Sequence, residues 1–323
     1  MNYGIKPYDL RIFEIAGREI GEIYHNCIMF LSKKINDDSS WNSITKEECD
    51  KLVNSFIDGE TATYKEGMMA TEPQEMYRAD RIKSVCRENV WILVRHVRAG
   101  NIYAMDFEKK FAAPQGGPTA LPAKNEVTAP PIEVKTRVGK KVLIEGRIDR
   151  VDILADGSVK IIDYKSGSEK FSVKEAKAGW RLQLMLYLKA AQGPGAQPAG
   201  VFYFTIDEGN ETGRMDGVAV DKVSVIENIA GEFEAWSEVI PIRKLKDGGI
   251  KGNSGENLLS ESEFAEFREA VDKKIRDMCG ELVEGCIDIR PKRSGNVTAC
   301  TYCGYKSVCT FDAGVEGFVY ENI

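Results

Sequence analysis

Histidine is almost missing from this chain: two residues, His25 and His96, among 323. Metal or proton chemistry must therefore lean on other donors, and taken alone each imidazole reads more readily as structural than as a ligand. Long apolar runs are also absent. None approaches the roughly 20 residues that a membrane span needs, so no membrane association is expected. Met1-Asn2-Tyr3-Gly4 leads into charged sequence rather than an apolar leader, which makes the cytoplasm the expected setting. No Gly-x4-Gly-Lys-Ser/Thr run occurs, which excludes a phosphate loop of that kind. Basic excess is lacking too: 44 Lys and Arg against 50 Asp and Glu leave a net charge of -6. That balance argues against indiscriminate nucleic-acid binding, though not against a local basic groove. Eight cysteines in a chain of this length do not suggest a secreted disulfide scaffold.

What is present is a concentrated signal near the middle: Gly146-Arg147-Ile148-Asp149, then Ile162-Asp163-Tyr164-Lys165-Ser166. Lys141–Leu154 and Val159–Lys165 read as strands rich in Val, Ile and Leu. Ala155-Asp156-Gly157-Ser158 between them is a hairpin signal. Folding about that turn brings Asp149 nearly opposite Asp163, within the roughly 4.5–5.5 Å of cross-strand neighbours. The apparent register calls for one extra residue or a small bulge. Asp163 and Lys165 lie two apart and share a strand face. Two carboxylates within reach of one cation suit Mg²⁺ or Mn²⁺. Such a cation can polarise a phosphoryl oxygen and acidify water, while a lysine can orient that water or stabilise developing negative charge. Asp-x-Lys alone is common, but the ordered set is much rarer, and it points to a metal-dependent nuclease.

Helices are predicted over Leu10–Lys33, from the Thr45-Lys46-Glu47-Glu48 capping box, over Glu72–Val97, Val173–Ala191, Val223–Lys246 and Ser260–Val283. Strands are predicted over Ile102–Phe111, Ile132–Val138 and Ala199–Ile206. Loops are expected over Ala112–Pro131 and Asp247–Glu256, the latter mobile. The reading is an α/β core with helical elaborations: a helical part over 1–100, a catalytic α/β core over 101–210, and a helical extension with clustered cysteines over 211–323.

Several residues outside the hairpin are candidates. Glu108, on the strand before it, offers a third carboxylate. Gln183 and Tyr187 lie four apart and share a helix face that can cross the mouth of the site. Lys165, Lys170, Lys174, Lys177 and Arg181 form one basic run and Lys135, Arg137, Lys140 and Lys141 another, each as readily a solvated face as a phosphate contact. Cys300-Thr301-Tyr302-Cys303 followed by Cys309 is spaced like metal-ligating thiolates, one short of the four of a closed site.

Together the Gly-Arg-Ile-Asp-Arg-Val-Asp run, Ile-Asp-Tyr-Lys-Ser, Gln-x3-Tyr and the terminal cysteine array resemble the C-terminal nuclease domain of the B subunit of AddAB-type helicase–nucleases. These are the RecB-like branch of the PD-(D/E)xK nucleases. The resemblance spans nearly the whole chain, including Gly21-x3-His25 and the Trp41/Thr45 segment. It implies a restriction-endonuclease-like mixed sheet flanked by helices. It implies that His25, Asp149, Asp163 and the Tyr164 carbonyl bind the metal, and that Lys165 is catalytic, with Glu108 at the family's acidic position. Gln183 and Tyr187 would position DNA. Cys300, Cys303 and Cys309 would be three of the four ligands of a 4Fe-4S cluster. The fourth lies in a Cys-Pro-Phe segment just upstream of the position of Tyr3, which this chain does not include, so the cluster is expected to be absent or incomplete unless Cys27 or another thiol substitutes. The implied partners are single-stranded DNA, the helicase–nuclease A subunit and the N-terminal half of the same subunit. The implied task is exonuclease action on DNA breaks during recombinational repair. Two rival readings are a stand-alone RecB-like iron–sulfur exonuclease of the CRISPR-adaptation type, disfavoured by the long stretch from Phe204 to Cys300, and a catalytically idle DNA-binding scaffold, disfavoured by the intact Asp149, Asp163 and Lys165.

Overall fold

Apolar residues at helical spacing build the first layer. The computed structural model describes residues 17–63, 73–113, 129–167, 169–193, 195–206, 213–301 and 303–323. Helix α1 (Gly17–Asp37) buries Ile23, Cys27, Ile28, Leu31 and Ile35, a stripe three to four residues apart. Its predicted first turns, before Gly17, lie outside the described residues. Helix α2 (Lys46–Thr63) buries Cys49, Val53 and Ile57, and it opens on the predicted capping box. The Thr45 backbone N–H donates to Glu48 Oε2 at 2.8 Å, and the Glu48 N–H donates back to Thr45 Oγ1 at 3.3 Å. Helix α3 (Pro73–Ala99) completes the layer.

The sheet follows. Its strands are β1 (Ile102–Phe111), β4 (Gly146–Leu154), β5 (Val159–Lys165), β6 (Pro198–Thr205), β7 (Asp216–Val220) and β10 (Leu258–Leu259), in the spatial order β1-β4-β5-β6-β7-β10. β5 runs parallel to β6 and β7 to β10, and the other pairs are antiparallel. This is the expected mixed sheet. Strand alternation gives it two faces. On one, His96 stands against Phe204 and Trp41 lies under Arg150, which is the side of α1–α3. On the other, Phe171 packs on Tyr203 and on Phe267 of a long C-terminal helix, α7 (Glu261–Glu284). Ser260 closes a second capping box on that helix with Glu263. One continuous core of buried apolar residues runs from Ile23 to Cys279.

Four expectations need correction. The predicted strand over 141–154 is two: β3 (Lys141–Ile144) pairs with β2 (Ile132–Lys135), while β4 starts afresh at Gly146 in the main sheet. A side chain at Gly146 would meet the Phe111 ring at 2.7 Å, so the chain turns where only glycine lets Phe111 lie across it. The predicted helix over 173–191 breaks into α4 (Val173–Lys177) and α5 (Gln183–Ala191), because Gly179 and Arg181 have φ of 86° and 54°. The predicted helix over 223–246 ends as α6 (Val223–Ala230) at Gly231, whose φ is 63°. The stretch 247–256, expected to be a loop, holds β9 (Ile250–Gly252), paired with β8 (Ile242–Lys244). Beyond α7 come β11 (Lys292–Ser294), β12 (Val297–Thr298), the short α8 (Lys306–Cys309) and β13 (Glu321–Asn322). Most of the expected loop over 112–131 lies outside the described residues. No helix among the described residues is long and apolar enough to cross a membrane.

Candidate active site

The hairpin sets the site. Leu154 N–H donates to Ser158 O, leaving a three-residue loop in which Gly157 takes φ 80°. Such loops put a left-handed residue last. The odd-numbered loop supplies the one extra residue that the register called for: it places Arg150 opposite Ile162, so Asp149 falls directly opposite Asp163. Pairing of β4 with β5 stops at that point, whereas β4 stays in register with β1 through Gly146. Instead of a backbone carbonyl, the Asp149 carboxylate accepts the Tyr164 N–H at 3.0 Å. In an antiparallel strand the N–H and C=O of one residue face the same neighbour, so the Tyr164 carbonyl also faces the gap where the strands part.

On the far side of β4, Glu108 of β1 falls opposite Asp149, between Phe107–Arg150 and Lys109–Ile148. Three carboxylates thus lie in a row across three adjacent strands. Glu108 holds φ at 52°, a backbone conformation that non-glycine residues rarely keep without cause. Both its oxygens are engaged, Oε2 by Lys33 Nζ at 2.6 Å and Oε1 by Arg147 Nη1 at 3.1 Å. Lys33, then Arg147, hold this carboxyl below its ordinary range.

His25 comes from the helical layer of the opposite face. Its Nε2 meets Asp149 Oδ2 at 3.2 Å, and its ring stands edge-on to Tyr164. The bond to Asp149 raises its pKa against the opposing effect of burial. Gly21, one turn earlier, makes the approach possible, since a Cβ there would collide with Ser166 Oγ at the end of β5. Asp163 is 1% exposed. Burial first, and the Asp149 charge second, push its pKa up to about 6. Neither of its oxygens has a hydrogen bond of good geometry, although Lys165 Nζ lies 2.6 Å from Oδ2. From Lys165 a chain runs outward: Nζ donates to Gln183 Oε1 at 2.8 Å, and Gln183 Nε2 donates to Tyr187 Oη at 2.7 Å. The break before α5 is what aims Gln183 and Tyr187 at Lys165.

These side chains fit a hard divalent cation. A buried carboxylate with orphaned oxygens opposite a second carboxylate is costly unless a positive charge is supplied. His25, Lys165 and Lys33 now stand on the three carboxylates. Among the described residues no group of three or more His, Cys, Asp or Glu donors is already drawn around one point.

The remaining candidates separate from this site. His96 is structural: Nε2 bonds to Glu238 O at 3.1 Å, and burial, with Lys160 and Arg150 nearby, pushes its pKa down to about 3. Cys300, Cys303 and Cys309 line one cavity with Arg293, Lys306 and Tyr320. Cys27 is a free thiol, fully buried beside the free thiol of Cys86, and does not line that cavity. Of the basic runs, Arg137 pairs with Asp277, Lys141 with Glu133, and Arg181 with Glu175. Sequence reasoning missed Lys33 and Arg147. Their signal was available, since Lys33 is two turns beyond His25 on one helical stripe and Arg147 shares a strand face with Asp149. It also missed the buried Arg150–Asp152–Lys160 cluster. There Asp152 Oδ1 and Oδ2 take Arg150 Nε and Nη2 at 2.7 and 3.0 Å, and Lys160 Nζ lies 2.8 Å from Oδ2.

Residues 3–310 match the family described as the PD-(D/E)XK nuclease superfamily. The whole chain is similar to the B subunit of the ATP-dependent helicase/deoxyribonuclease from Alkaliphilus oremlandii (strain OhILAs), with 29% identity over 350 residues. It is similar to the proteins of the same name from Alkaliphilus metalliredigens (strain QYMF), 30% identical over 351 residues, and Thermoanaerobacter sp. (strain X514), 29% over 350. All of this chain is aligned in each case, and it spans 29% of the length of each of these relatives.

Proposed function

The chain belongs to the PD-(D/E)XK nuclease superfamily, and from that premise we propose that it is the deoxyribonuclease part of the B subunit of a helicase–nuclease. It would hydrolyse phosphodiesters of a DNA single strand, as an exonuclease, during processing of double-strand breaks. Its partners in this reading are the A subunit, which supplies motor activity, and the remainder of its own subunit, in the cytoplasm. The three stretches of the chain, 1–100, 101–210 and 211–323, act as one unit, a reading supported by their shared core.

The observation that carries the proposal is the facing pair Asp149 and Asp163 at the point where β4 and β5 part, with Lys165 two residues on. Asp149, Asp163, His25 and the Tyr164 carbonyl would hold Mg²⁺ or Mn²⁺, with Glu108 a further carboxylate on the adjacent strand. When bound, that cation supplies the charge that polarises a phosphoryl oxygen and acidifies water. Lys165, steadied by Gln183, orients the attacking water and offsets the charge that builds on the phosphate as the P–O bond breaks. Asp163, 2.6 Å from the ammonium, holds Lys165 in place. Gln183 and Tyr187 position the strand, and burial, which pushes the Tyr187 pKa up to about 12, keeps its hydroxyl a neutral hydrogen-bonding group. Cys300, Cys303 and Cys309 would give three thiolates to a 4Fe-4S cluster, the fourth coming from elsewhere in the subunit.

The test is cleavage of end-labelled single-stranded DNA with Mg²⁺, beside Asp163→Ala and an EDTA control. Cutting lost in both controls is expected, and the fragment ladder gives polarity. Metal-dependent cutting retained by Asp163→Ala would defeat the site assignment.

A further inference from the structure

Glu108 is the one carboxylate of the row with a cation on each oxygen, and those cations have no part in the chemistry set out above. Lys33 and Arg147 are half exposed, at 42% and 53%, around a Glu108 side chain at 29%. Lys33 sits eight residues past His25, about 12 Å along α1. Arg147 precedes Asp149 by two residues on the same strand face, about 6–7 Å away. They therefore border the row of carboxylates on the side away from Lys165. We propose that Lys33 and Arg147 are phosphate-contacting residues that clamp Glu108 in the free protein and exchange it for the DNA backbone when a strand enters. The inference rests on the nuclease reading above and names how that site grips its substrate.

Three physical points support the exchange. A polyanion reaching Asp149, Asp163 and Glu108 meets three carboxylates, so bordering cations are needed for it to approach at all. Ion pairs this exposed are weak and screened, so giving up Glu108 costs little, while a phosphate offers the guanidinium fork of Arg147 a bidentate partner. Finally, Glu108 sits at φ 52° in mid-strand, a backbone conformation that a non-glycine residue rarely keeps. Releasing the clamp would free Glu108 to turn toward Asp149. The neighbouring Lys34 is a built-in control, since it pairs with Asp38 one turn along α1 and touches none of these groups.

The experiment is binding of a fluorescent oligothymidylate in EDTA over a series of NaCl concentrations. Lys33→Ala and Arg147→Ala should each weaken binding and flatten the plot of log K against log salt by about 0.7, the loss of one single-strand phosphate contact. Glu108→Gln, which unclamps both cations, should tighten binding several-fold in the absence of metal. Lys34→Ala should bind as the wild type, and melting curves verify that each variant is folded. Wild-type slopes in both alanine variants, or no tightening in Glu108→Gln, overturn the proposal. If the wild type still cuts single strands in an Asp163-dependent way, only this inference falls. If it neither binds nor cuts them, the nuclease reading falls as well.

Discussion

Replacing Asp163 by Asn should make the metal-free protein more stable while abolishing cleavage. The carboxyl is 1% exposed, and its pKa stands at about 6 against an ordinary 3.8. Because the folded value is raised, the folded state binds this proton more tightly than the unfolded one. The associated stability is complete below pH 3.8 and is lost as pH rises through 6. At about 1.36 kcal/mol for each pH unit between 3.8 and about 6, the cost is about 3 kcal/mol above neutrality and about 1 kcal/mol near pH 4.5. Asparagine keeps the shape without the charge, so the variant should gain about those amounts over the wild type at each pH. At about 2 °C per kcal/mol for a chain of this size, the gain near pH 7.5 is about 6 °C in Tm. The assay is thermal and urea unfolding in EDTA near pH 4.5 and pH 7.5. Added Mg²⁺ should then raise the Tm of the wild type and leave the variant unmoved. A variant no more stable than the wild type near pH 7.5, or equally stabilised at both pH values, would refute the argument that Asp163 is buried against its charge.

Two further changes probe the supports. Gly21→Ala should cost about 1–3 kcal/mol by overpacking against Ser166, despite the roughly 1 kcal/mol that alanine gains over glycine inside a helix. Cleavage should fall as His25 is levered from Asp149, and adding Ser166→Ala should restore part of both, read by urea melts and initial rates. Asp152→Ala leaves Arg150 and Lys160 buried without their anion and should destabilise the fold by about 3–5 kcal/mol in the same melts. A loss under 1 kcal/mol would mean that water already reaches those cations.

Much of the site was legible because its parts are local. Asp149, Asp163 and Lys165 sit on one hairpin, where a period of two and a turn signal fix which side chains face each other. The capping box at Thr45 is local as well, and its helix starts where that residue indicates. Errors arose where a single residue interrupts a favourable pattern. Gly146, Gly179 and Gly231 each lie inside a run that continues in composition, and each breaks it because a neighbour needs the space or the backbone needs a positive φ. The hairpin register was legible too: the extra residue that it called for is the third residue of the loop 155–157, which sets Asp149 opposite Asp163.

The sequence alone determined the chemistry available: two facing carboxylates, a lysine two residues on, three clustered thiols and scarcely any histidine. These follow from residue identity and short-range periodicity, which no distant contact alters. Only the tertiary structure decided that β4 and β5 part at Asp149, that His25 arrives from the other face of the sheet, and that Lys33 and Arg147 close on Glu108. Those relations join segments up to 138 residues apart, from His25 to Asp163. They depend on how a helical layer and a twisted sheet exclude water together, which packing settles and no local pattern encodes.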